Sequence, residues 1–288
     1  MVWLCCGMDL LLGHSPDPDD AFMFYALAEN KIDTRGYRFQ HVLQDIETLN
    51  QRAMRGELHI SAVSIHAYAF LTSQYALLPC GASMGDGYGP MLVSLSEAPK
   101  TPPEIWEWLA DKKIAVPGLK TSAYLAFRLF TSGGSAVVVP FDEIFDFVKA
   151  GKADVGLLIH EGQLTYAQQG FQLVLDLGAW WKDQTGLPLP LGGNVIRKDI
   201  LPRQRKEISD ILKESIRYGL ENRAAGVQHS MPLARDLDLA QADQFIGMYV
   251  NDFTLDYGKI GRQAIREFLG QANKRGLISE AIEIEFVE

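Results

Sequence analysis

Cysteine is scarce. Three occur in 288 residues, and Cys5 and Cys6 are adjacent, so no disulfide framework is implied. No Cys-x-x-Cys pair and no Cys/His cluster has zinc spacing, so no metal site is expected. Thiols without a pairing pattern suit a reducing compartment, and a cytoplasmic location is expected. Long apolar runs are missing too. No segment reaches the eighteen or so apolar residues of a membrane helix. The apolar stretch at residues 1 to 7 has no basic residue ahead of it and is too short for a signal-peptide core. Met8 therefore reads as the natural start, with an upstream extension before it. Positive charge is in deficit: 27 Lys and Arg stand against 36 Asp and Glu, a net charge of −9. Nucleic acid and an anionic membrane both demand a basic surface, so neither is expected as a partner. A small anionic ligand remains open, because a local site can be positive on an acidic protein. The Walker loop, the Rossmann fingerprint, the Gly-x-Ser-x-Gly elbow and the His-Glu-x-x-His helix are all absent.

What remains is an ordinary globular composition, 47% hydrophobic and 22% charged. The length suits one large domain or two smaller α/β lobes. Strands are expected at 9–13, 37–43, 58–62, 75–79, 91–95, 113–116, 136–139, 153–159 and 171–177. Helices are expected at 21–30, 45–55, 65–72, 102–110, 123–130 and 142–150. The glycine-rich segment 81–90 reads as a loop. Residues 189–196 cross back to the first lobe, and the chain from Pro202 is mostly helical. Ile260, Ala264, Ile265, Phe268 and Leu269 carry clear helical spacing.

The two halves echo each other. Gly56-Glu-Leu-His-Ile60 leads to Ser64, and Gly151-Lys-Ala-Asp-Val155 leads to His160. Setting Gly56 on Gly151 puts Ser64 level with Ile159 and Ile65 level with His160. The expected architecture is α/β and two-lobed, with a cleft between the lobes. Lobe I takes residues 1–103 and 192–288, and lobe II takes 104–191.

The run at 153–161 ends abruptly in His160 and Glu161. In open α/β sheets ligands sit beyond the carboxyl ends of the strands, which makes His160 a candidate base. A satisfied strand-end histidine is the alternative. Adjacent strand residues point to opposite faces, which argues against Glu161 orienting the ring. Lys120-Thr-Ser-Ala123 brings backbone N–H groups, two hydroxyls and a lysine to a helix start, an anion-binding arrangement whose alternative is simple capping. Ser61 to Ser64 can do the same in the other half. Asp17, Asp19 and Asp20 suit sugar hydroxyls, a metal or a helix cap. Asp45 and Glu47 precede a helix, with Asn50 one turn on. His66 and His14 are further candidate bases; His41 and His59 read as strand positions and His229 as a loop. Gly178-Ala-Trp-Trp181 reads as an aromatic wall for a flat ligand or as core packing.

Several of these segments, taken in order, resemble the 1,4-dihydroxy-6-naphthoate synthase family of the futalosine route to menaquinone. They are Ser15-Pro-x-Pro-x-Asp20, Phe22-x-Phe24-Tyr-Ala-Leu27, Asp45-x-Glu-Thr-Leu-Asn50 and Val116-Pro-Gly-x-x-Thr-x-Ala-Tyr124. Leu157-Leu-Ile-His-Glu161, Asp176 to Trp181, Thr185 to Gly192 and Tyr249-Val-Asn251 complete the set. Asp17 and Asp19 depart from the Cys and Asn of the family, and Ala62 stands where lysine is common. The resemblance implies a periplasmic-binding-protein-like (type II) fold in a cofactor-free lyase. Its substrate would be cyclic dehypoxanthinyl futalosine, with His160 as proton acceptor. It further implies substrate contacts at Ala62, Val63, Ser64, Thr121, Ser122, Ala123 and Tyr124, with Asn50, Asp19 and Ser15 beside them. Monomer and homodimer both stay open. The alternatives are a non-catalytic solute-binding or sensor protein of this fold, and the sister enzyme chorismate dehydratase. The Ile-His-Glu segment favours the synthase over the latter.

Overall fold

The computed structural model describes residues 8–235, 237–279 and 282–288; the extension read at residues 1 to 7 lies outside them. The chain forms two compact units. One comprises the chain up to Ser83, Gly192–Arg262 and Ile282–Glu288, and the other Met84–Leu191 and Gln263–Ala281. The strands are β1 (Asp9–His14), β2 (Arg38–Leu43), β3 (Ile60–Ser64), β4 (Tyr75–Leu77), β5 (Ser83–Gly85), β6 (Met91–Ser94), β7 (Lys113–Val116), β8 (Ser135–Val138), β9 (Val155–Leu158), β10 (Gln172–Asp176) and β11 (Leu189–Arg197).

In the first unit the sheet runs β2-β1-β3-β11-β4. β1 is parallel to β2 and β3, and β11 is antiparallel to β3 and β4. In the second unit the sheet runs β8-β7-β9-β6-β10. β7 is parallel to β8 and β9, and β6 is antiparallel to β9 and β10. The two plans agree strand for strand, and so does the register. Leu12 pairs with Ile60, and Ile114 pairs with Val155. Gly56 precedes Ile60 by the same interval as Gly151 precedes Val155. Both glycines are left-handed, with φ of 67° and 68°. Each follows a helix, Ile46–Met54 or Ile144–Lys149, and turns the chain back toward a parallel strand.

β1 is apolar on both faces, as a central parallel strand must be. Leu10 and Leu12 join the core that holds Phe22, Phe24, Ile208, Ile211, Leu212 and Ile216. Leu11 faces the other way, onto the cluster of Leu49, Leu58 and Ala62. The helix Pro202–Glu221 buries Ile208, Ile211, Leu212, Ser215, Ile216 and Gly219, an apolar stripe at helical spacing. In the second unit Val93, Ala115, Ile144, Phe145, Val148 and Leu158 form one core. Trp181 is fully buried there, edge-on to Phe268 at 5.4 Å, and its Nε1–H donates to the Pro188 carbonyl at 3.2 Å. Trp181 is thus core rather than ligand wall.

Several sequence expectations differ from the structure: the segment 81–90, read as a loop, holds the strand β5, and His59, read as a strand position, lies just before β3. The helix expected over 21–30 begins earlier, at Pro18, and breaks at Phe24 into Pro18–Met23 and Tyr25–Ala28. His229 lies in the helix Arg223–Ser230 and not in a loop. The unit boundary falls after Ser83 rather than near residue 103, because β6 pairs with β9 and β10 in the second sheet. The segment from Gln263 also joins the second unit, where Phe268 meets Trp181.

Phe22 is fully buried with a glycine on either side. A Cβ on Gly219 would stand 3.1 Å from the Phe22 ring, and one on Gly226 would stand 2.7 Å from it. Gly226→Ala adds helix propensity, at most about 1 kcal/mol, but overpacks a closed core, which costs about 1–3 kcal/mol. The expected outcome is a net loss of about 1–2 kcal/mol in urea unfolding. An unchanged midpoint would show that the Phe22 ring can move aside.

Candidate active site

Ser15, Ser64, Thr121, Ser122 and His160 lie at or just past the carboxyl ends of parallel strands: β1 and β3 in the first unit, β7 and β9 in the second. That is where open α/β sheets bind ligands.

In the first unit, Ser64 ends β3 and opens the short helix Ile65–Tyr68 without a side-chain cap. Its backbone N–H donates to Asn50 Oδ1 at 2.9 Å, and its Oγ accepts from Asn50 Nδ2 at 3.2 Å. Asn50 projects from the helix Ile46–Met54, which Asp45 caps by accepting the Thr48 N–H at 3.0 Å. Ala62 and Val63 are buried in β3, Ala62 within the Leu49 and Leu58 cluster. Past the end of β1, the Ser15 N–H donates to Asp20 Oδ2 at 2.6 Å. Burial pushes the Asp20 carboxyl up to about 6, against the Ser15 N–H and hydroxyl, which hold it down. Asp19 is buried in the first turn of Pro18–Met23. Asp17 pairs with Arg235 at 3.2 Å.

Sequence reasoning missed a pair of histidines at this end of the sheet. His14 Nε2 and His41 Nδ1 are 2.9 Å apart, and the His14 ring packs 4.9 Å from Phe24. The register that sets His14 opposite Leu43, two residues on from His41, is a long-range fact, although both residues are visible in the sequence. Burial pushes each imidazole down to about 4, and His41 is further opposed by His14 and His229.

In the second unit, β7 leads through residues 117–121 into the helix Ser122–Phe130. Thr121 is its N-cap: Oγ1 accepts the Tyr124 N–H at 3.2 Å and donates to the Gly118 carbonyl at 2.8 Å. Thr121, Ser122 and Ala123 are buried, and Tyr124 is half-buried. Arg128 anchors the far end of this helix. It donates to the Tyr124 hydroxyl and to the carbonyls of Ser132, Gly133 and Gly134.

His160 lies beyond β9, 8% exposed, with Phe141 and Phe145 edge-on to its ring. Nε2 meets the Phe141 carbonyl at 2.9 Å, and Nδ1 meets the Gly162 N–H at 2.8 Å. A carbonyl only accepts and an N–H only donates, so the neutral ring carries its proton on Nε2. A Cβ on Gly162 would stand 2.5 Å from His160 Cε1, so the ring lies directly on that glycine. Glu161 Oε2 is 3.9 Å from Nδ1. The strand-alternation argument against Glu161 fails because β9 stops at Leu158 and Glu161 is already in a helical conformation. Among the described residues, no three His, Cys, Asp or Glu side chains are placed to hold a metal ion.

The histidine pair makes stability depend on pH. Between about pH 4 and 6.5 the unfolded chain binds protons at His14 and His41 that the folded chain refuses. Their contribution is therefore full above about 6.5, falls as the pH drops, and levels off below about 4. Asp20 acts oppositely: its raised pKa favours the folded state at low pH and loses that effect as pH rises through about 6. Two imidazoles against one carboxyl give a net loss of stability on acidification. Urea midpoints measured from pH 7 to 4.5 should fall less steeply in His41→Gln than in the unchanged protein; equal slopes would remove the pair as the cause.

The menaquinone biosynthesis family model matches residues 10–274. A 1,4-dihydroxy-6-naphthoate synthase from Thermus thermophilus is 35% identical over 268 residues, 93% of this chain and 95% of its own length. The enzyme of that name from Streptomyces coelicolor is 36% identical over 275 residues, 93% of this chain and 94% of its own. Among solved structures, an Archaeoglobus fulgidus protein is 42% identical with a TM-score of 0.87, covering 94% of this chain and 98% of that one. The alkanesulfonate-binding protein SsuA from Xanthomonas axonopodis shares the fold alone, at 10% identity and a TM-score of 0.69 over 94% of each chain. No helix among the described residues is long and apolar enough to cross a membrane. On the sheet plan the chain has the fold of periplasmic binding proteins, and on sequence it belongs to the menaquinone biosynthesis family of enzymes.

Proposed function

We propose that this chain is a 1,4-dihydroxy-6-naphthoate synthase: a cytoplasmic lyase that splits cyclic dehypoxanthinyl futalosine into 1,4-dihydroxy-6-naphthoate and a three-carbon fragment. The observation that carries the reading is the 35% and 36% identity to two synthases across 93% of the chain. The chemistry asks for little. Breaking a carbon–carbon bond next to a carbonyl needs a base to take a proton and donors to hold the developing oxyanion. No electrons enter or leave, and the aromatic product draws the elimination forward.

His160 is the proposed base, acting through Nδ1. The Phe141 carbonyl holds the Nε2 proton at 2.9 Å and so leaves the lone pair on Nδ1. That lone pair meets the Gly162 N–H at 2.8 Å in the free protein, so proton uptake requires this bond to be given up. Glu161, 3.9 Å from Nδ1, then faces the imidazolium that forms. Ser64 and the segment from Thr121 to Tyr124 are the proposed substrate contacts. The substrate is anionic, which suits the positive end of the dipole of the helix Ser122–Phe130.

Product analysis with purified protein and cyclic dehypoxanthinyl futalosine tests the reaction. Saturable binding without naphthoate would identify a binding protein instead. For the base, His160→Asn is expected to keep the fold and to lower kcat by roughly two to four orders of magnitude, with KM changed far less, because proton transfer belongs to the transition state. Near-normal kcat in the folded variant would remove His160 from the mechanism.

A further inference from the structure

Asn50 commits both ends of its side-chain amide to Ser64. Oδ1 accepts the Ser64 N–H at 2.9 Å, and Nδ2 donates to Ser64 Oγ at 3.2 Å. Asn50 is fully buried and Ser64 is 3% exposed. The orientation of the amide is forced. A backbone N–H can only donate, so the oxygen must face it, and the nitrogen is left to face the hydroxyl.

That arrangement orients the hydroxyl hydrogen. A serine hydroxyl has one hydrogen and two lone pairs. Asn50 occupies a lone pair, so the hydrogen points away from Asn50. Ser64 starts the helix Ile65–Tyr68 without a side-chain cap bond, and no other described residue takes the hydrogen. We infer that Asn50 is a positioning residue that turns the Ser64 hydroxyl hydrogen outward, so that Ser64 donates to an acceptor oxygen of the substrate. The inference rests on the reading that Ser64 touches substrate. Asn50 is fully buried, so its part is assigned through Ser64 and not to a contact of its own.

Steady-state kinetics with cyclic dehypoxanthinyl futalosine test this through a double-mutant cycle. Ser64→Ala should raise KM about tenfold, the worth of one good hydrogen bond to a ligand. Asn50→Leu, similar in volume, should raise KM by a like factor while kcat stays within about threefold. The double variant should be no worse than Ser64→Ala alone, because Asn50 acts only through that hydroxyl. Asn50→Asp keeps the size and places an acceptor against the hydroxyl; it pulls the hydrogen inward and should raise KM at least as much. Effects of Asn50→Leu and Ser64→Ala that multiply in the double variant would overturn the inference while leaving Ser64 a substrate contact. An unchanged KM in Ser64→Ala would instead remove Ser64 from the site, and the inference with it. Should Asn50→Leu fail to fold, Asn50→Asp decides: wild-type KM there would also overturn the assignment.

Discussion

Parallel pairing of β1 with β3, and of β7 with β9, is the constraint from which the rest follows. Parallel strands end on the same side, so the residues just past them are delivered to one edge of the sheet. The pairs Leu12 with Ile60 and Ile114 with Val155 set that edge within each unit. Slip either register by one residue and the side chains change faces, with Leu10 and Leu12 turning out of their core. Core packing and site geometry are therefore two readings of a single register. Leu10 and Leu12 hold β1 in place, and His14 and Ser15 are carried along.

The environment of His160, the proposed base, fixes the ring on both nitrogens. Its ring is clamped by a carbonyl on one nitrogen and an N–H on the other, and it lies against a glycine that no other residue could replace without moving it. Such a ring is well ordered before any ligand arrives, and precise placement is most of what a general base contributes beyond its intrinsic basicity. The cost is that the reactive lone pair is already in use. The proposed chemistry depends on exchanging one neutral hydrogen bond for a proton, with a carboxylate near enough to favour the charged product.

Local pattern carried much of this into the sequence. β7 spans the residues its apolar run predicts, 113–116, and the Gly56 and Gly151 correspondence is real down to the backbone angle. Both are local: a short apolar run, and a glycine where the chain must turn left-handed. Features that depend on distant partners were not legible. β6 reads as a strand, but only its pairing with β9 and β10 decides which sheet it joins. The His14 and His41 contact depends on the β1 and β2 register, and Asn50's hold on Ser64 depends on how the helix Ile46–Met54 packs against β3. Trp181 could be wall or core on its sequence, and its burial against Phe268 settles that.

The interleaving of the two units bears on the order in which this chain can fold during synthesis. The first unit receives its β11 residues from position 192 onward, and β4 is closed by the bridge between Leu77 and Phe286. The Val287 N–H completes that edge by donating to the Leu77 carbonyl. The second unit lies between, yet it too draws on a later stretch, where Arg275 donates to the Leu129 carbonyl. Neither unit holds all its own residues until nearly the whole chain has left the ribosome. Growth from one end thus gives no early finished half, and the unpaired edge of β4 must wait some two hundred residues for its partner (286 − 77 = 209). Contacts of such long sequence separation close slowly, and the β4 edge stays open for most of the time in synthesis.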